Sequence, residues 1–350
     1  MACRLLTALA VLCLAIALAR RGKGLLVQAP VVATIPAIRE LSSDERLQSS
    51  RLHSLYLRAP GRLISIGDVH GDALGLRLVL AQAGLIDRET HSLWTGGNAT
   101  LVQTGDVVDR GDDSASALRL LVRLQAEARR QGGNVVGLMG NHELMQVVHD
   151  FRFVTDAEND GYGGSEGARA LAFSPQGEFG PWLRTLPVAV VIEQTKGTDV
   201  VRKLFVHAGL DAHFLDSALT SPADALLELD RRFAGLLGKV DADHELAYSE
   251  PLLGELGPLW NRVFAMHRNE TLVCHILNKT LTAAGADKMI VGHTVVEQGP
   301  TTRCDGRLVL GDVGFSPYYS PPHGNRLALE HIIEFDGSIK VIRAGAQTAL

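Results

Sequence analysis

The chain has 350 residues, of which 46% are hydrophobic and 21% are charged. Its 34 basic and 39 acidic side chains leave a formal net charge of −5. This composition is typical of a globular protein with a sizeable core, and it excludes disordered, collagen-like and small disulfide-rich chains. The acidic balance also argues against nucleic acid, or any other partner that is selected by bulk positive charge.

The N-terminal segment resembles a leader, because no acidic residue occurs before Glu40. Residues 5–19 are apolar apart from Thr7 and end in a small-x-small pattern that is typical of a cleavage site. This run is shorter than the roughly 18 to 20 residues that span a bilayer. We therefore predict that residues 1–29 are a signal peptide for the secretory pathway. A membrane anchor formed by residues 5–19 and an organelle-targeting presequence remain open as alternatives, and contact with a membrane is expected only through such an anchor.

Residues 30–60 form a predicted arm or linker, because they show no sustained periodicity and contain three prolines. At most one short helix is expected there, near residues 43–52. The globular domain is expected to extend from residue 61 to residue 345.

Outside the leader the chain has two cysteines, Cys274 and Cys304. Two alternatives remain open for them, one disulfide or two buried free thiols.

From about residue 62 the chain repeats one unit, an apolar run followed by a loop rich in Gly and Asp and then a helical stretch. Residues 63–66 lead into GDVHG, residues 101–102 into GDVVDRG and residues 135–138 into GNHE. This alternation predicts crossover connections and a largely parallel sheet that is buried on both faces. Ligands bind at the carboxyl ends of such strands, which is where the three loops occur.

The later part of the chain continues the alternation after one interruption. Residues 145–187 are rich in glycine but lack the preceding strand and the GK[ST] sequence of a phosphate loop, so we predict a flexible insertion over the active face. Further strands and helices are expected beyond it. The predicted strands are 188–192, 204–206, 289–291, 308–310 and 332–335, and the predicted helices are 223–237 and 271–284.

Polar residues follow five of the predicted strands, and each group lies beside a glycine that permits close approach of the backbone to a ligand. They are Asp68 and His70, then Asp106, Asp109 and Arg110, then Asn141, His142 and Glu143, and finally His207 and His293. Any one of them alone would be an ordinary turn or hydrogen-bonded residue. Together they offer carboxylate, amide and imidazole ligands without a thiolate, a set that suits Mn, Fe or Zn. Two ions about 3.5 to 4 Å apart can clamp both oxygens of an in-line displacement, so we predict a two-metal hydrolytic site.

The remaining histidines lack the strand and glycine context of these five groups. Asp211 and His213 repeat the D-x-H spacing of the first loop, but without that context. We interpret them as surface residues, together with His53, His91, His149, His244, His267, His275, His323 and His331.

The five blocks GDVHG, GDVVDRG, GNHE, VHAG and GHT, in this order, resemble the signature of calcineurin-like metallophosphoesterases. The VDRG and GNHE forms of the second and third blocks are similar to the corresponding motifs of the phosphoprotein phosphatase superfamily. The PLWNR block at residues 258–262 and the GHT form resemble its bacterial-like Shewanella-like protein phosphatases. The resemblance covers about residues 62–343. It implies an α/β fold, a four-layer αββα sandwich with helical insertions.

The resemblance also implies a role for each site residue. His142 matches the general acid, Asp109 the carboxylate that orients it, and Arg110 and Arg262 the arginines that bind phosphate. The site would hold two divalent or trivalent metal ions, Mn, Fe or Zn. The matching ligands are Asp68 and His70 for the first metal, Asp106 as the bridge, and Asn141, His207 and His293 for the second metal.

The implied activity is hydrolysis of phosphomonoesters, on a phosphorylated protein or peptide, by a hydroxide that bridges two metal ions. Phosphotyrosine and phosphoserine or phosphothreonine are both open as substrates. A small-molecule phosphoesterase acting on nucleotides or dinucleoside polyphosphates is the alternative enzyme. A catalytically silent metal-binding scaffold is the alternative from another class, although the general acid, its carboxylate and the first arginine are all present.

Overall fold

The computed structural model describes residues 55–219, 221–319, 324–331 and 339–344. The predicted leader, the possible helix near residues 43–52 and the predicted strand at 332–335 lie outside the described residues. Within the described ranges, no helix combines the length and the apolar character that crossing a bilayer requires.

Strands and helices alternate through most of the described chain. The strands are β1 (Tyr56–Ala59), β2 (Leu63–Ile66), β3 (Thr100–Gln103), β4 (Asn134–Gly137), β5 (Ala189–Lys196), β6 (Asp199–Val206), β7 (Lys288–Val291), β8 (Thr301–Arg303), β9 (Leu308–Leu310), β10 (Leu327–His331) and β11 (Ile339–Arg343). The helices are α1 (Ala73–Gln82), α2 (Ser114–Arg130), α3 (Asn141–Val147), α4 (Asp156–Asp160), α5 (Glu166–Phe173), α6 (Gly180–Leu183), α7 (Pro222–Val240), α8 (Leu246–Ser249), α9 (Val263–Met266) and α10 (Glu270–Ala284).

The strands form two mixed sheets rather than the largely parallel sheet that the alternation predicted. One sheet has the order β11-β10-β2-β3-β4, with β2, β3 and β4 parallel and the last two strands of the chain antiparallel. The other has the order β1-β5-β6-β7-β9-β8, with β6, β7 and β9 parallel. The prediction holds for β2, β3 and β4, the three strands from which it was drawn. It fails for β5 and β6, because a two-residue turn at Gly197 joins them as an antiparallel hairpin.

The two sheets face each other between two layers of helices. Helices α1 and α2 pack on the five-stranded sheet, whereas α7 and α10 pack on β5 and β7 of the six-stranded sheet. Between the sheets, the ring of Phe205 lies 5.4 Å from that of His331, and the amide of Gln194 donates to the His331 carbonyl at 3.2 Å. The predicted α/β sandwich is therefore confirmed.

His331 is not the surface residue that the sequence predicted. Its side chain is buried, and its Nε2 lies 2.7 Å from Ser65 Oγ. The reason is that β10 enters the sheet beside β2, so its last residue faces the layer between the sheets.

The last residues of the predicted arm form a strand. β1 pairs in parallel with β5, and both Leu55, which precedes the strand, and Ala59, its last residue, are buried. These residues are therefore part of the six-stranded sheet, although the sequence assigned them to the arm. The sequence of β1 is YLRA, which neither alternates between apolar and polar residues nor forms a continuous apolar run, so it carried no strand signal.

The insertion at residues 145–187 is built from packed helices, so its interpretation as a flexible segment is wrong. Thr155 and Ser165 cap α4 and α5 by accepting backbone N–H groups. The rings of Tyr162, Phe173 and Phe179 are buried and lie 5.3 to 5.8 Å from one another. The glycine-rich sequence is the turn between α4 and α5, where glycines take positive φ angles.

Candidate active site

The loops that follow β2, β3, β4, β6 and β7 meet at one edge of the two sheets. The backbone N–H of His293 donates to both carboxylate oxygens of Asp68, at 3.1 and 3.0 Å. Nδ1 of His207 lies 2.7 Å from the carbonyl oxygen of Thr104. Each of these contacts joins a loop of one sheet to a loop of the other, so the five strand ends form one site.

Asp106 lies at the centre of this site. Its Oδ2 is 3.3 Å from Nε2 of His207 and 3.9 Å from the Nε2 atoms of both His70 and His142. Asp106 belongs to two buried groups that could hold a metal ion, one with His70 and His142 and one with His207 and His293. A carboxylate that is shared between two such groups occupies the position expected of a bridging ligand.

The other predicted ligands are oriented by contacts around this centre. Oδ1 of Asn141 lies 2.9 Å from Nε2 of His207. Nδ1 of His70 lies 3.0 Å from the carbonyl oxygen of Val108, which turns Nε2 towards the centre. Such contacts on one ring nitrogen set the direction of the other, as is usual for histidines that bind metals. All six residues predicted as metal ligands lie together.

The donors in this cluster fit divalent metal ions. Oxygen and imidazole nitrogen atoms converge in a buried space, and among the described residues Nε2 of His293 has no hydrogen-bond partner. A buried polar nitrogen without a partner is costly, so a metal ion would satisfy a group that the protein leaves unpaired.

Burial and neighbouring charges together shift the pKa values of several residues in the site. Burial, reinforced by the positive charge of His142, lowers the pKa of His70 to about 3. Burial and the charge of Asp312 raise the pKa of Asp68 well above its usual value. For Asp106, burial acts to raise the pKa, but the surrounding histidines outweigh it and hold the pKa well below the usual range. A neutral His70 and an ionised Asp106 are in the protonation states that bind metal, whereas the raised pKa of Asp68 means that binding a metal ion there would favour loss of its proton.

His142 and Asp109 form a buried pair beside the cluster. Nδ1 of His142 lies 2.7 Å from Oδ2 of Asp109. Burial alone would lower the pKa of His142, but the charge of Asp106 and the hydrogen bond with Asp109 outweigh it, so the pKa is raised. His142 is therefore able to keep a proton on Nε2, on the side that faces the cluster.

The two predicted phosphate-binding arginines border the same site. The guanidinium carbon of Arg110 lies 4.4 Å from the ring centre of Phe153 and 5.4 Å from that of Tyr319, whose hydroxyl is 3.3 Å from Nε2 of His70. Nη1 of Arg262 donates to the carbonyl oxygen of His293 at 3.3 Å and to Oγ1 of Thr294 at 3.0 Å. Both guanidinium groups are thus held next to residues of the cluster.

Two acidic residues to which the sequence assigned no role also lie at the site. Glu143, which appears in the GNHE loop, accepts the backbone N–H groups of Asp106 and Val107 at 2.7 and 2.8 Å. Asp312 follows β9, and burial raises its pKa to about 6. Asp312 was not among the residues predicted from the sequence, although a glycine and an aspartate after an apolar run are the same signal as in the other loops.

Two further residues contact the buried pair from the other side. Gln146 and Arg169 both donate to Oδ1 of Asp109, at 2.8 and 3.1 Å. Gln146 lies four residues after His142 on the same helix, a spacing that could have identified it. Arg169 lies in the insertion, 60 residues from Asp109, and no local pattern connects the two.

Comparison with known proteins identifies the same family. A family model described as calcineurin-like phosphoesterase matches residues 61–297. Shewanella-like protein phosphatase 2 of Arabidopsis thaliana is 30% identical over 318 residues, covering 79% of this chain and 76% of that protein. Shewanella-like protein phosphatase 1 of Plasmodium berghei (strain Anka) is 30% identical over 319 residues, covering 87% of this chain and 81% of that protein.

A solved structure shares the fold. The crystal structure of the cold-active protein-tyrosine phosphatase of a psychrophilic Shewanella species has a TM-score of 0.61 and 22% sequence identity, and it covers 83% of this chain and 82% of that chain. At this identity the likeness shows the fold alone. Because the family model matches more than half of the chain and the two relatives align over most of it, the chain belongs to the calcineurin-like phosphoesterase family.

Proposed function

We propose that this protein is a metal-dependent phosphatase that hydrolyses phosphomonoesters on phosphorylated proteins or peptides. The observation that carries the proposal is the carboxylate of Asp106, shared by two buried groups of histidines, with the His142–Asp109 pair beside them. Family membership and relatives that are named protein phosphatases support both the hydrolase activity and the phosphoprotein substrate.

The metal centre would take its ligands from the cluster around Asp106. These ligands suit Mn, Fe or Zn, so we propose that two such ions occupy the site. When bound, they supply Lewis-acid activation of water and neutralise charge on the phosphate. The residues that would hold them are Asp68, His70, Asp106, Asn141, His207 and His293.

The protein's own side chains would perform the remaining steps. Arg110 and Arg262 bind the phosphate oxygens, for which the planar guanidinium is suited because it donates two parallel hydrogen bonds. His142 donates the proton on Nε2 to the leaving oxygen of the substrate. Asp109 accepts from Nδ1 of His142 and so stabilises the charged imidazolium until that transfer.

A substrate panel tests this proposal. Purified protein lacking residues 1–29 would be reconstituted with Mn, or with Fe and Zn, and assayed on phosphotyrosine and phosphoserine peptides and on diadenosine tetraphosphate. We expect metal-dependent release of phosphate from peptides and much slower cleavage of the nucleotide. Faster turnover of the nucleotide would assign the protein to the small-molecule phosphoesterases. Bound metal without turnover of any substrate would point to a silent scaffold.

The proposed cellular localisation of the protein rests on its first 29 residues alone. We propose that they direct the chain into the secretory pathway, on the strength of the acid-free apolar run and the pattern that ends it. Sequencing the N-terminus of the protein isolated from cells tests this. A start near residue 20 or residue 30 supports cleavage, whereas Met1 or Ala2 would indicate an uncleaved anchor.

A further inference from the structure

Arg169 connects the helical insertion to the buried pair of the active site. It lies on α5 and its side chain is fully buried. Its Nη2 donates to Oδ1 of Asp109 at 3.1 Å, and its Nε donates to Oε1 of Gln146 at 2.7 Å. We propose that Arg169 is a positioning residue for proton transfer, which fixes the carboxylate of Asp109 and through it the imidazole of His142. The inference rests on the proposed function, in which His142 is the proton donor.

The two oxygens of Asp109 have separate partners. Oδ2 contacts Nδ1 of His142 at 2.7 Å, whereas Oδ1 accepts from Arg169 and, at 2.8 Å, from Nε2 of Gln146. The terminal torsion of an aspartate is broad, so the hydrogen bond with His142 alone would let the carboxylate rotate. Two donors on Oδ1 restrict that rotation and keep Oδ2 directed at the imidazole.

Arg169 is itself held in one orientation. Its guanidinium carbon lies 4.5 Å from the ring centre of Tyr162 and 5.3 Å from that of Phe173, and Nη1 is 3.5 Å from Oε1 of the buried Glu158. Aromatic faces and a carboxylate together fix the plane of a guanidinium. The insertion therefore supplies a rigid support for Asp109, and this explains why a charged side chain is buried so far from solvent.

Gln146 extends the same support to the helix that carries His142. Its Nε2 also lies 3.3 Å from the carbonyl oxygen of His142, one turn earlier on α3. The insertion, the VDRG loop and α3 thus share one hydrogen-bonded network around Asp109. Loss of Arg169 would loosen this network on the side of Asp109 that faces away from the metal ligands.

A positioning role and a purely structural role predict different effects of a substitution on kcat. If Arg169 positions the proton donor, the loss of kcat should depend on how good the leaving group is. An acidic phenol leaves as its anion and needs little help from a proton donor, whereas an alcohol such as serine needs the proton in the transition state. Misplacement of His142 should therefore slow poor leaving groups selectively. A general loss of folded protein would slow all substrates equally.

The experiment measures kcat and KM on 2,4-dinitrophenyl phosphate, phenyl phosphate and a phosphoserine peptide. For Arg169→Met we expect kcat to fall about 10- to 100-fold on the last two substrates, with KM retained. On 2,4-dinitrophenyl phosphate we expect kcat to stay close to the wild-type value. Arg169→Lys, which keeps the charge but not the planar fork, should recover part of the loss.

Two further variants keep the test interpretable if Arg169→Met does not fold. Removing one partner of a buried ion pair is strongly destabilising, so the double variant Arg169→Met/Glu158→Gln relieves the unpaired charge and carries the same kinetic expectation. Arg184→Met is the matched control, because this arginine of the same insertion pairs with Asp241 and with backbone carbonyls of Phe173 and Gly180. It should change stability without changing the dependence on the leaving group. Thermal unfolding and metal content would be measured for every variant.

The outcomes separate this inference from the function on which it rests. If the wild-type protein cleaves none of the substrates, the proposed function fails and the inference fails with it. If the wild type is active and His142→Asn shows the selective loss, the function stands. A folded, metal-loaded Arg169 variant that is as active as the wild type, or that loses the same factor on every substrate, would then overturn the inference alone.

Discussion

At the scale of single residues, the site concentrates unusual backbone conformations. Several of its non-glycine residues have positive φ angles, a region that side chains with a Cβ atom rarely adopt. They are His70 at 45°, Asp106 at 56°, Asp109 at 69°, Arg110 at 67° and His293 at 64°. Each such residue costs of the order of 1 to 3 kcal/mol, and the hydrogen bonds around the site hold it in place. Strain concentrated on chemically active side chains supports a functional role for these loops.

The assignment of His142 as the proton donor leads to a prediction for His142→Asn. We expect kcat on phosphopeptides to fall by about 10² to 10⁴, the usual contribution of a general acid, because asparagine cannot supply the proton. Metal content should be retained, since His142 is not one of the six residues proposed to hold the metal ions and all six are unchanged. Steady-state kinetics and metal analysis of the same preparation check this. An unchanged kcat in the metal-loaded variant would remove His142 from the mechanism.

At the scale of strands, the layer between the two sheets contains a buried polar group of residues. Lys203 on β6 donates to Gln194 on β5, which in turn donates to the backbone of His331 on β10. Burial, with the nearby charge of Lys288, lowers the pKa of Lys203 to about 7. Burying this amine costs free energy mainly when the amine is protonated and charged. The stability of the folded protein therefore depends on pH.

This pKa predicts how the stability of the protein responds to pH. An unfolded lysine has a pKa of about 10.4, so between about pH 7 and pH 10 the unfolded chain binds more protons than the folded one. Stability should therefore rise with pH across this window. From pH 7 to pH 9.5 the free energy of unfolding of the wild type should increase by about 3 kcal/mol relative to Lys203→Met, which has no amine to titrate.

Urea unfolding of the two proteins at both pH values measures this difference. Lys196→Met, which replaces an exposed lysine at the end of β5, serves as the control and should follow the wild type. Parallel pH profiles for the wild type and Lys203→Met would show that the folded state does not lower the pKa of Lys203.

At the scale of the whole molecule, one covalent link joins distant parts of the chain. Cys274 on α10 and Cys304 after β8 form a disulfide, with 30 residues of sequence separation. The sequence left this pairing open beside two free thiols. The disulfide connects a helix that covers the six-stranded sheet to the edge of that sheet, so it restricts the unfolded chain more than any local contact in this region.

Loss of this link should lower stability without changing activity. For Cys304→Ser we expect the free energy of unfolding to fall by about 2 to 4 kcal/mol, because a cross-link stabilises mainly by restricting the unfolded chain. Neither cysteine belongs to the proposed site, so kcat on a phosphopeptide should be unchanged well below the unfolding temperature. Urea unfolding with and without reductant is the measurement. Equal stability of the wild type in both conditions would show that the disulfide does not contribute.

Much of the architecture was predictable because it is encoded locally. Helical periodicity placed α7 and α10 within a few residues of their observed bounds, and β9 was predicted at its observed residues. The five polar loops were recognisable because each combines a strand end, a glycine and a ligand-type side chain within a few positions. Parallel strands bring their carboxyl ends to one edge, so such loops are expected to meet.

The sequence by itself therefore determined the family, the strands that precede the five polar loops, and the set of residues that gather around Asp106. Only the tertiary structure decided that β1 joins the sheet, that β10 buries His331, that Cys274 meets Cys304 and that Arg169 holds Asp109. The physical reason is the sequence separation of the residues in contact. Local patterns in the sequence indicate only the conformation of neighbouring residues. These other contacts join residues tens to hundreds of positions apart, and their partners are selected by packing of the whole chain.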